Sequence, residues 1–257
     1  MTEELRSLPV LAPVSERVHF VIHDYEEVLR SDTVWGDHSH AFNELLWNEH
    51  GASSAVVGAR VWTVTPTVGL WMPAGTLHSG AAPAGTRLRA AFFGSRTAPA
   101  ISDRPVAVEI TPLLRLLLDR LGEPELPARS REVTEAMVLD VLAPSPRELF
   151  VHMPDGPLLR PIAEAVRADP ADRRGLADWA GELGVSPRTV ARAFTAETGT
   201  SFARWVATVR AQHAIELLAA GWEVEQVAHE VGYRSASAFG FAFRRTTGLT
   251  PGAFRTR

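Results

Sequence analysis

Three side chains with the chemistry to hold a metal stand close together in His38-Ser-His40-Ala-Phe-Asn-Glu44, with Gly51 following. On a β-strand alternate residues share a side, so parity predicts that His38, His40 and Glu44 face one way. A fourth ligand from a neighbouring strand would complete three imidazoles and one carboxylate. That donor set suits one divalent transition metal: zinc, iron, manganese, nickel, cobalt or copper. Imidazole must be neutral and the carboxylate ionised to bind, so occupancy is expected to fall as pH drops through roughly 6.5. A second segment, Pro73-Ala-Gly75-Thr-Leu-His78, places another histidine just after a turn. The chain has no cysteine, which excludes disulfides, zinc fingers and thiol chemistry.

The elements that must position these groups read as strands. Arg17–Ile22 and Arg60–Thr65 alternate apolar and polar residues, as does part of Thr86–Phe93. Gly51, Gly58, Pro66, the Pro73–Gly75 turn and the Pro83–Gly85 turn separate them. Short strands spaced about ten residues apart predict an all-β sandwich or barrel. The period then changes, and Pro112–Leu121 and Arg131–Leu142 read as helices. Prolines at 144, 146, 154, 157 and 161 mark a linker, expected over 146–160. The expected organisation is α+β in two domains. Residues 1–145 form a sensor domain (barrel about 16–110, helices about 112–142), and 161–257 form an all-α domain.

The two histidine segments resemble the paired motifs of the cupin barrel, His-x-His-x-x-x-Glu and Pro-x-Gly-x-x-His. The resemblance implies that His38, His40, Glu44 and His78 are the ligands. It is incomplete: the glycine usual before the first histidine is not at that spacing, and Ala82 stands where an asparagine is usual. Trp35, Phe42, Trp47, Trp62, Trp71 and Phe92 are candidates to line a pocket beside the metal, against the alternative that they are plain core.

The helical part repeats itself. Ala180, Leu183 and Gly184 correspond to Ala228, Val231 and Gly232; after one inserted residue, Ser186, Val190, Phe194 and Gly199 correspond to Ser235, Phe239, Phe243 and Gly248. Each copy reads as a helix, a tight turn ending in glycine, and a second helix capped by serine. Ser201–Ala220 reads as one long helix between them, with Phe202, Trp205, Val206, Val209, Leu217 and Leu218 facing inward. This pair of helix-turn-helix units, with Gly232-Tyr233, Phe239, Phe243-Arg244, Gly248 and Pro251, resembles the AraC/XylS DNA-binding domain.

That resemblance implies seven helices and two reading helices in successive major-groove segments. Arg188, Ala191 and Arg192 match base-contact positions of the first reader, and arginine can grip guanine with two hydrogen bonds. Ala236, Ser237, Gly240 and Phe241 match those of the second and are poor hydrogen-bonders. This copy is therefore expected to give phosphate contacts from Arg234, Arg244 or Arg245 and apolar contact to thymine methyls. Ser186 and Ser235 complete the candidate DNA contacts.

Charge agrees. Residues 1–156 carry 13 Arg and 20 Asp or Glu, net −7, and residues 157–257 carry 13 Arg and 10 acids, net +3. A positive segment tied to a negative one fits a DNA-binding module joined to a sensor. Met1–Val14 has no basic region ahead of an apolar stretch, so no signal peptide, no membrane and a cytoplasmic protein are expected. The function expected is a homodimeric, non-enzymatic regulator of transcription that binds double-stranded DNA and senses a metal or a metal-held small molecule. The alternatives are a metal-dependent cupin enzyme carrying a DNA module, a regulator with a purely organic effector, and a barrel that only dimerises.

Overall fold

In the computed structural model, residues 4–6, 22–94, 100–146 and 148–255 are described, and the chain divides into two units. One comprises 1–58 and 63–148, the other 59–62 and 149–257. The strand expected over Arg17–Ile22 lies outside the described residues except for Ile22.

The first unit is two sheets followed by two helices. Its strands are β1 (Glu4–Arg6), β2 (Ile22–Val28), β3 (Thr33–His38), β4 (Asn43–His50), β5 (Ser53–Val57), the end of β6 (Arg60–Val64, whose first three residues belong to the second unit), β7 (Val68–Met72), β8 (His78–Ala82), β9 (Arg87–Phe93) and β10 (Val106–Glu109). One sheet runs β1-β3-β8-β5-β6 and the other β10-β7-β4-β9-β2. β1 pairs parallel with β3, whereas β4 is flanked antiparallel by β7 and β9. All five residues of β7 are buried, which is why its sequence reads as a continuous apolar run rather than an alternation.

Helices α1 (Pro112–Leu121) and α2 (Ala128–Val141) follow. Thr111 caps α1, its hydroxyl accepting from the Leu114 amide at 3.2 Å, and Pro112 occupies the first turn, where no amide donor is missed. Helix α1 buries Leu114, Leu117, Leu118 and Leu121. Helix α2 begins three residues before its expected start, because Ala128, Arg129 and Ser130 follow Pro127 without any helix-breaking residue.

In the second unit the proline-dotted stretch read as linker holds a strand, β11 (Phe150–His152), and the first residue of α3 (Arg160–Ala168). Strand β11 pairs with Arg60–Trp62, and Trp62 packs on Phe150. Three residues are too short for periodicity to reveal among prolines. Then come α4 (Leu176–Glu182), α5 (Pro187–Thr198), α6 (Phe202–Ala219), α7 (Val224–Glu230), α8 (Ala236–Thr247) and the 3-10 turn Pro251–Phe254. With α3 this makes seven helical segments in the second unit among its described residues.

The repeat in sequence is a repeat in structure. Ser186 caps α5 and Ser235 caps α8, each accepting from the amide three residues on. Gly199 and Gly248 close those helices in the left-handed conformation, φ +71° and +77°. Trp179, Val190, Phe194, Trp205 and Val209 share the core of the first copy. In the second, Phe239 packs at a tilt on Phe243, and Phe243 meets Phe254 edge to face.

The two turn glycines differ in what surrounds them. Both Gly184 and Gly232 have positive φ, +66° and +83°. A Cβ on Gly184 would meet nothing within 4 Å, but on Gly232 it would lie 2.9 Å from the Ala171 Cα. Gly184→Ala should therefore cost about 1 kcal/mol, the left-handed penalty alone. Gly232→Ala should cost about 3 kcal/mol, because a backbone clash adds to it. Urea unfolding of both variants measures the difference, and equal losses would mean that Ala171 moves aside.

Candidate functional site

His38, His40 and His78 each bring a ring nitrogen within 4.8 Å of the others. They do not arrive on one strand. His38 ends β3, His40 lies in the connecting loop, and Glu44 is the second residue of β4, in the other sheet. The expected strand parity is therefore corrected: the chain turns a corner between sheets at residues 39–42, and that corner brings the groups together.

Local backbone chemistry fixes each ligand candidate. His38 pairs across the sheet with His78, after a bulge in which Trp35 to His38 oppose only Gly80 to His78. A bulge reverses the alternation of facing residues. The His38 Nδ1 lies 2.6 Å from the Gly36 carbonyl, and the His78 Nδ1 lies 2.9 Å from the Thr76 carbonyl. A carbonyl only accepts, so both Nδ1 atoms are the donors, and in the neutral ring that leaves the lone pair on Nε2. The Pro73–Gly75 turn clamps the loop that bears His40. The Gly75 amide donates to the His40 carbonyl at 2.7 Å, and the Ala74 amide donates to Asn43 Oδ1 at 3.0 Å. Asn43 and the two carbonyls position the site, and the spacing of histidines alone gave no signal for them.

Glu44 lies between the rings, its Oε2 3.8 Å from His40 Nε2 and 3.6 Å from His78 Nε2. Bonds of about 2.0–2.2 Å to one ion place neighbouring donors roughly 3–3.5 Å apart; the three ring nitrogens, within 4.8 Å of one another, would have to draw together by about an ångström to share one cation, with Glu44 beside two of them. Three buried atoms, His38 Nε2, His40 Nε2 and Glu44 Oε2, have no hydrogen-bond partner. A buried polar atom without a partner costs free energy, and a shared cation would satisfy all three.

Burial holds the Glu44 carboxyl up at about 8. His40 is lowered to about 4, mainly by burial and then by His78 and His38. His78 is lowered by burial, against the pull of the Thr76 carbonyl. The protein alone thus keeps His40 and His78 neutral and Glu44 protonated near pH 7.

The six aromatic candidates divide. Phe42 stacks on His40 at 4.9 Å and 8°, and Phe92 stands edge-on to both, 6.0 Å from His40 and 4.8 Å from Phe42. The four tryptophans have core partners instead. Trp35 is buried with Leu29, Ala82 and Leu88; Trp47 lies under Arg89; Trp71 packs on Phe93; Trp62 packs on Phe150.

On the helical unit, Arg188 and Arg192 are exposed on one face of α5, with Ala191 half-buried between them. Arg234, Ser235, Ser237, Arg244 and Arg245 are exposed along α8 and its start. Ser186 is exposed, but its hydroxyl is already engaged by the Thr189 amide and hydroxyl. Both faces lie opposite the buried Val190 and Phe194, or Phe239 and Phe243, as a groove-reading helix requires.

Residues 179–257 match a family model described as a helix-turn-helix domain. The HTH-type transcriptional regulator NimR of Escherichia coli is 30% identical over 245 residues, covering 93% of this chain and 88% of that protein. The HTH-type transcriptional regulator RipA of Corynebacterium glutamicum is 38% identical over 123 residues, 46% of this chain and 37% of that protein. Among solved structures, the C-terminal domain of AraT, a response regulator from Geobacillus stearothermophilus, is 27% identical over 39% of this chain and 84% of that one, with a TM-score of 0.37.

The ionisation states add a pH dependence of stability to the one expected for metal binding. The ordinary values are 4.5 for the Glu44 carboxyl and 6.5 for the His40 ring. Stability contributed by neutral His40 is lost as pH falls through about 4, so it is complete above 6.5. Between 6.5 and about 8 the folded protein holds a Glu44 proton that the unfolded chain has lost, so stability declines as pH rises. A cation that takes that proton's place should raise Tm more at pH 8 than at pH 6.5. Calorimetry at pH 7 in buffers of different protonation enthalpy should show release of about one proton per ion. Equal Tm gains at both pH values with no proton release would put Glu44 outside the ligand set.

Proposed function

Because the chain belongs to the AraC/XylS family of helix-turn-helix transcription regulators, we propose that its DNA binding is governed by one divalent transition metal held by His38, His40, Glu44 and His78. The chain is a DNA-binding regulator rather than an enzyme. The metal, bound alone or with a small molecule completing its coordination, is the signal. The observation that carries this reading is that the ring nitrogens of His38, His40 and His78 lie within 4.8 Å of one another beside Glu44, with His38 Nε2, His40 Nε2 and Glu44 Oε2 buried and without hydrogen-bond partners.

When bound, the ion supplies a positive centre able to accept a donor atom from an effector. The protein's own residues do the rest. The Gly36 and Thr76 carbonyls orient two rings, the Gly75 amide holds the loop of a third, and Phe42 and Phe92 offer apolar faces to an effector's carbon skeleton. Those rings favour one second reading, an organic effector that binds without metal against neutral imidazoles and a protonated carboxyl. A homodimer is proposed through α1 and α2, whose Leu113, Leu116, Val133 and Met137 are exposed. The protein is proposed to work in the cytoplasm, and among the described residues no helix is long and apolar enough to cross a membrane.

Regulation requires that the signal favour one state of the protein over another. His40→Ala and His78→Ala should lose metal, measured by elemental analysis after dialysis, and should change output from the target promoter. Wild-type protein with less than one metal per chain after growth and dialysis with each candidate ion would remove the metal and leave the organic effector. A metal-free variant with unaltered promoter response would make the site structural.

DNA recognition has its own measurement. Arg188→Ala and Arg192→Ala should each weaken binding by roughly 1–3 kcal/mol and relax base preference at one or two positions. An equal loss of affinity for every sequence would assign these arginines to phosphates.

A further inference from the structure

A single connecting helix sets the distance between the two helix-turn-helix copies but leaves their mutual angle to other contacts. Helix α6 runs into α7 through Ala220, Gly221 and Trp222, all exposed, with Gly221 in left-handed backbone at φ +88°. A second link between the copies passes through Arg210, half-buried in the middle of α6. Its Nε donates to the Pro170 carbonyl and its Nη2 to the Asp172 carbonyl, each at 2.8 Å. Both carbonyls belong to the loop between α3 and α4, which leads into the first copy. The same guanidinium stands 5.6 Å from the centre of the Tyr233 ring, in the turn of the second copy. Tyr233 in turn packs on Phe239 of α8, 5.7 Å between ring centres.

Each end of this link is anchored. In the loop, Asp169 Oδ1 accepts from the Ala171 amide at 2.9 Å, and the Asp172 carboxylate accepts from the Arg174 amide and side chain. Arg174 donates to Glu182 at 2.9 Å and lies 3.6 Å over the Trp179 ring, both in α4. On the other side there is no slack. A Cβ on Gly232 would lie 2.9 Å from the Ala171 Cα and 3.2 Å from Arg210 Nη2, whereas one on Gly184 would meet nothing within 4 Å. The repeat therefore has one open turn and one crowded turn, and the second is crowded by the loop that leads into the first. Two carbonyls on one edge and a ring against the guanidinium suit a planar fork, which lysine cannot reproduce.

We propose that Arg210 is a positioning residue for DNA reading. Its fork holds the loop between α3 and α4 against the Gly232–Tyr233 turn, fixing the angle between the two reading helices and so the base-pair spacing the protein accepts. One extra base pair moves the halves of a site apart by about 3.4 Å and turns them by about 35°. That exceeds the roughly 10–20° within which a preorganised site works. The inference rests on both copies engaging DNA, which a wild-type footprint over two successive major-groove segments establishes separately.

The test uses the full chain and a duplex selected from random DNA by the wild-type protein, with one base pair then inserted at the centre of the site. Wild type should bind the lengthened duplex about tenfold more weakly, a loss of the size that one mismatched base pair causes. Arg210→Met keeps the side-chain stem but loses the fork. It should bind the selected duplex more weakly and the lengthened one at least as tightly as wild type does, so that the preference shrinks to about twofold, within a fraction of one mismatch. Arg210→Lys keeps the charge and is the milder change should Arg210→Met fail to fold, and its preference should also narrow. An equal loss on both duplexes, with the tenfold preference intact in either variant, would make Arg210 a phosphate contact or a purely structural residue and overturn the proposal. A wild type indifferent to the inserted base pair overturns it as well. A footprint over one segment only would overturn the two-copy reading together with the proposal, whereas a two-segment footprint with unchanged preference in the variants overturns the proposal alone.

Discussion

Polar atoms buried without partners are expensive, and a fold that gathers several of them needs something to satisfy them. Around residues 38–44 the chain places three imidazoles and a carboxyl in a mostly apolar setting, two rings oriented by backbone carbonyls and the third by a clamped loop. Much of the first unit's irregularity serves this gathering. The bulge in β3, the corner between the two sheets and the left-handed Gly75 each depart from regular strand geometry, and each does so next to one of the four groups. Near neutral pH the carboxyl answers the cost by keeping its proton.

The second unit solves a different problem with a repeated device. A short helix can present a face to DNA only if the chain reverses sharply before it, and Gly184 and Gly232 supply that reversal with left-handed backbone. The serine after each glycine then restarts the helix by taking up an orphan amide. Helix α6 joins the copies and buries Trp205, Val209, Ala214, Ile215 and Leu218. Its length is thus a matter of spacing as much as of stability.

Legibility in the sequence followed the strength of the local signal. The helical unit was readable almost residue by residue, since caps, turn glycines and inward aromatics recur in register about 48 residues apart. The identities of His38, His40, Glu44 and His78 were readable from motif spacing, but their arrangement was not. A strand and a strand that turns a corner look alike until cross-strand partners are known. Asn43 carries no such signal, because its role, receiving the Ala74 amide, depends on a contact 31 residues away. The tryptophans illustrate the converse: composition marks them as candidates for a pocket, whereas Trp35, Trp62 and Trp71 are held by core neighbours.

The two copies share a backbone plan but not a surface. Helix α5 offers Arg188 and Arg192 where α8 offers Ser237 and Phe241. A symmetric reader lies on its site equally well in either direction, but a reader whose halves want different bases does not. With base reading by both helices, one chain bound to its site would have a fixed heading along the DNA. Everything attached to the helical unit then faces either upstream or downstream, and inverting the site would invert that heading while leaving affinity unchanged. For a protein that acts on a promoter, heading is information that binding strength alone does not carry.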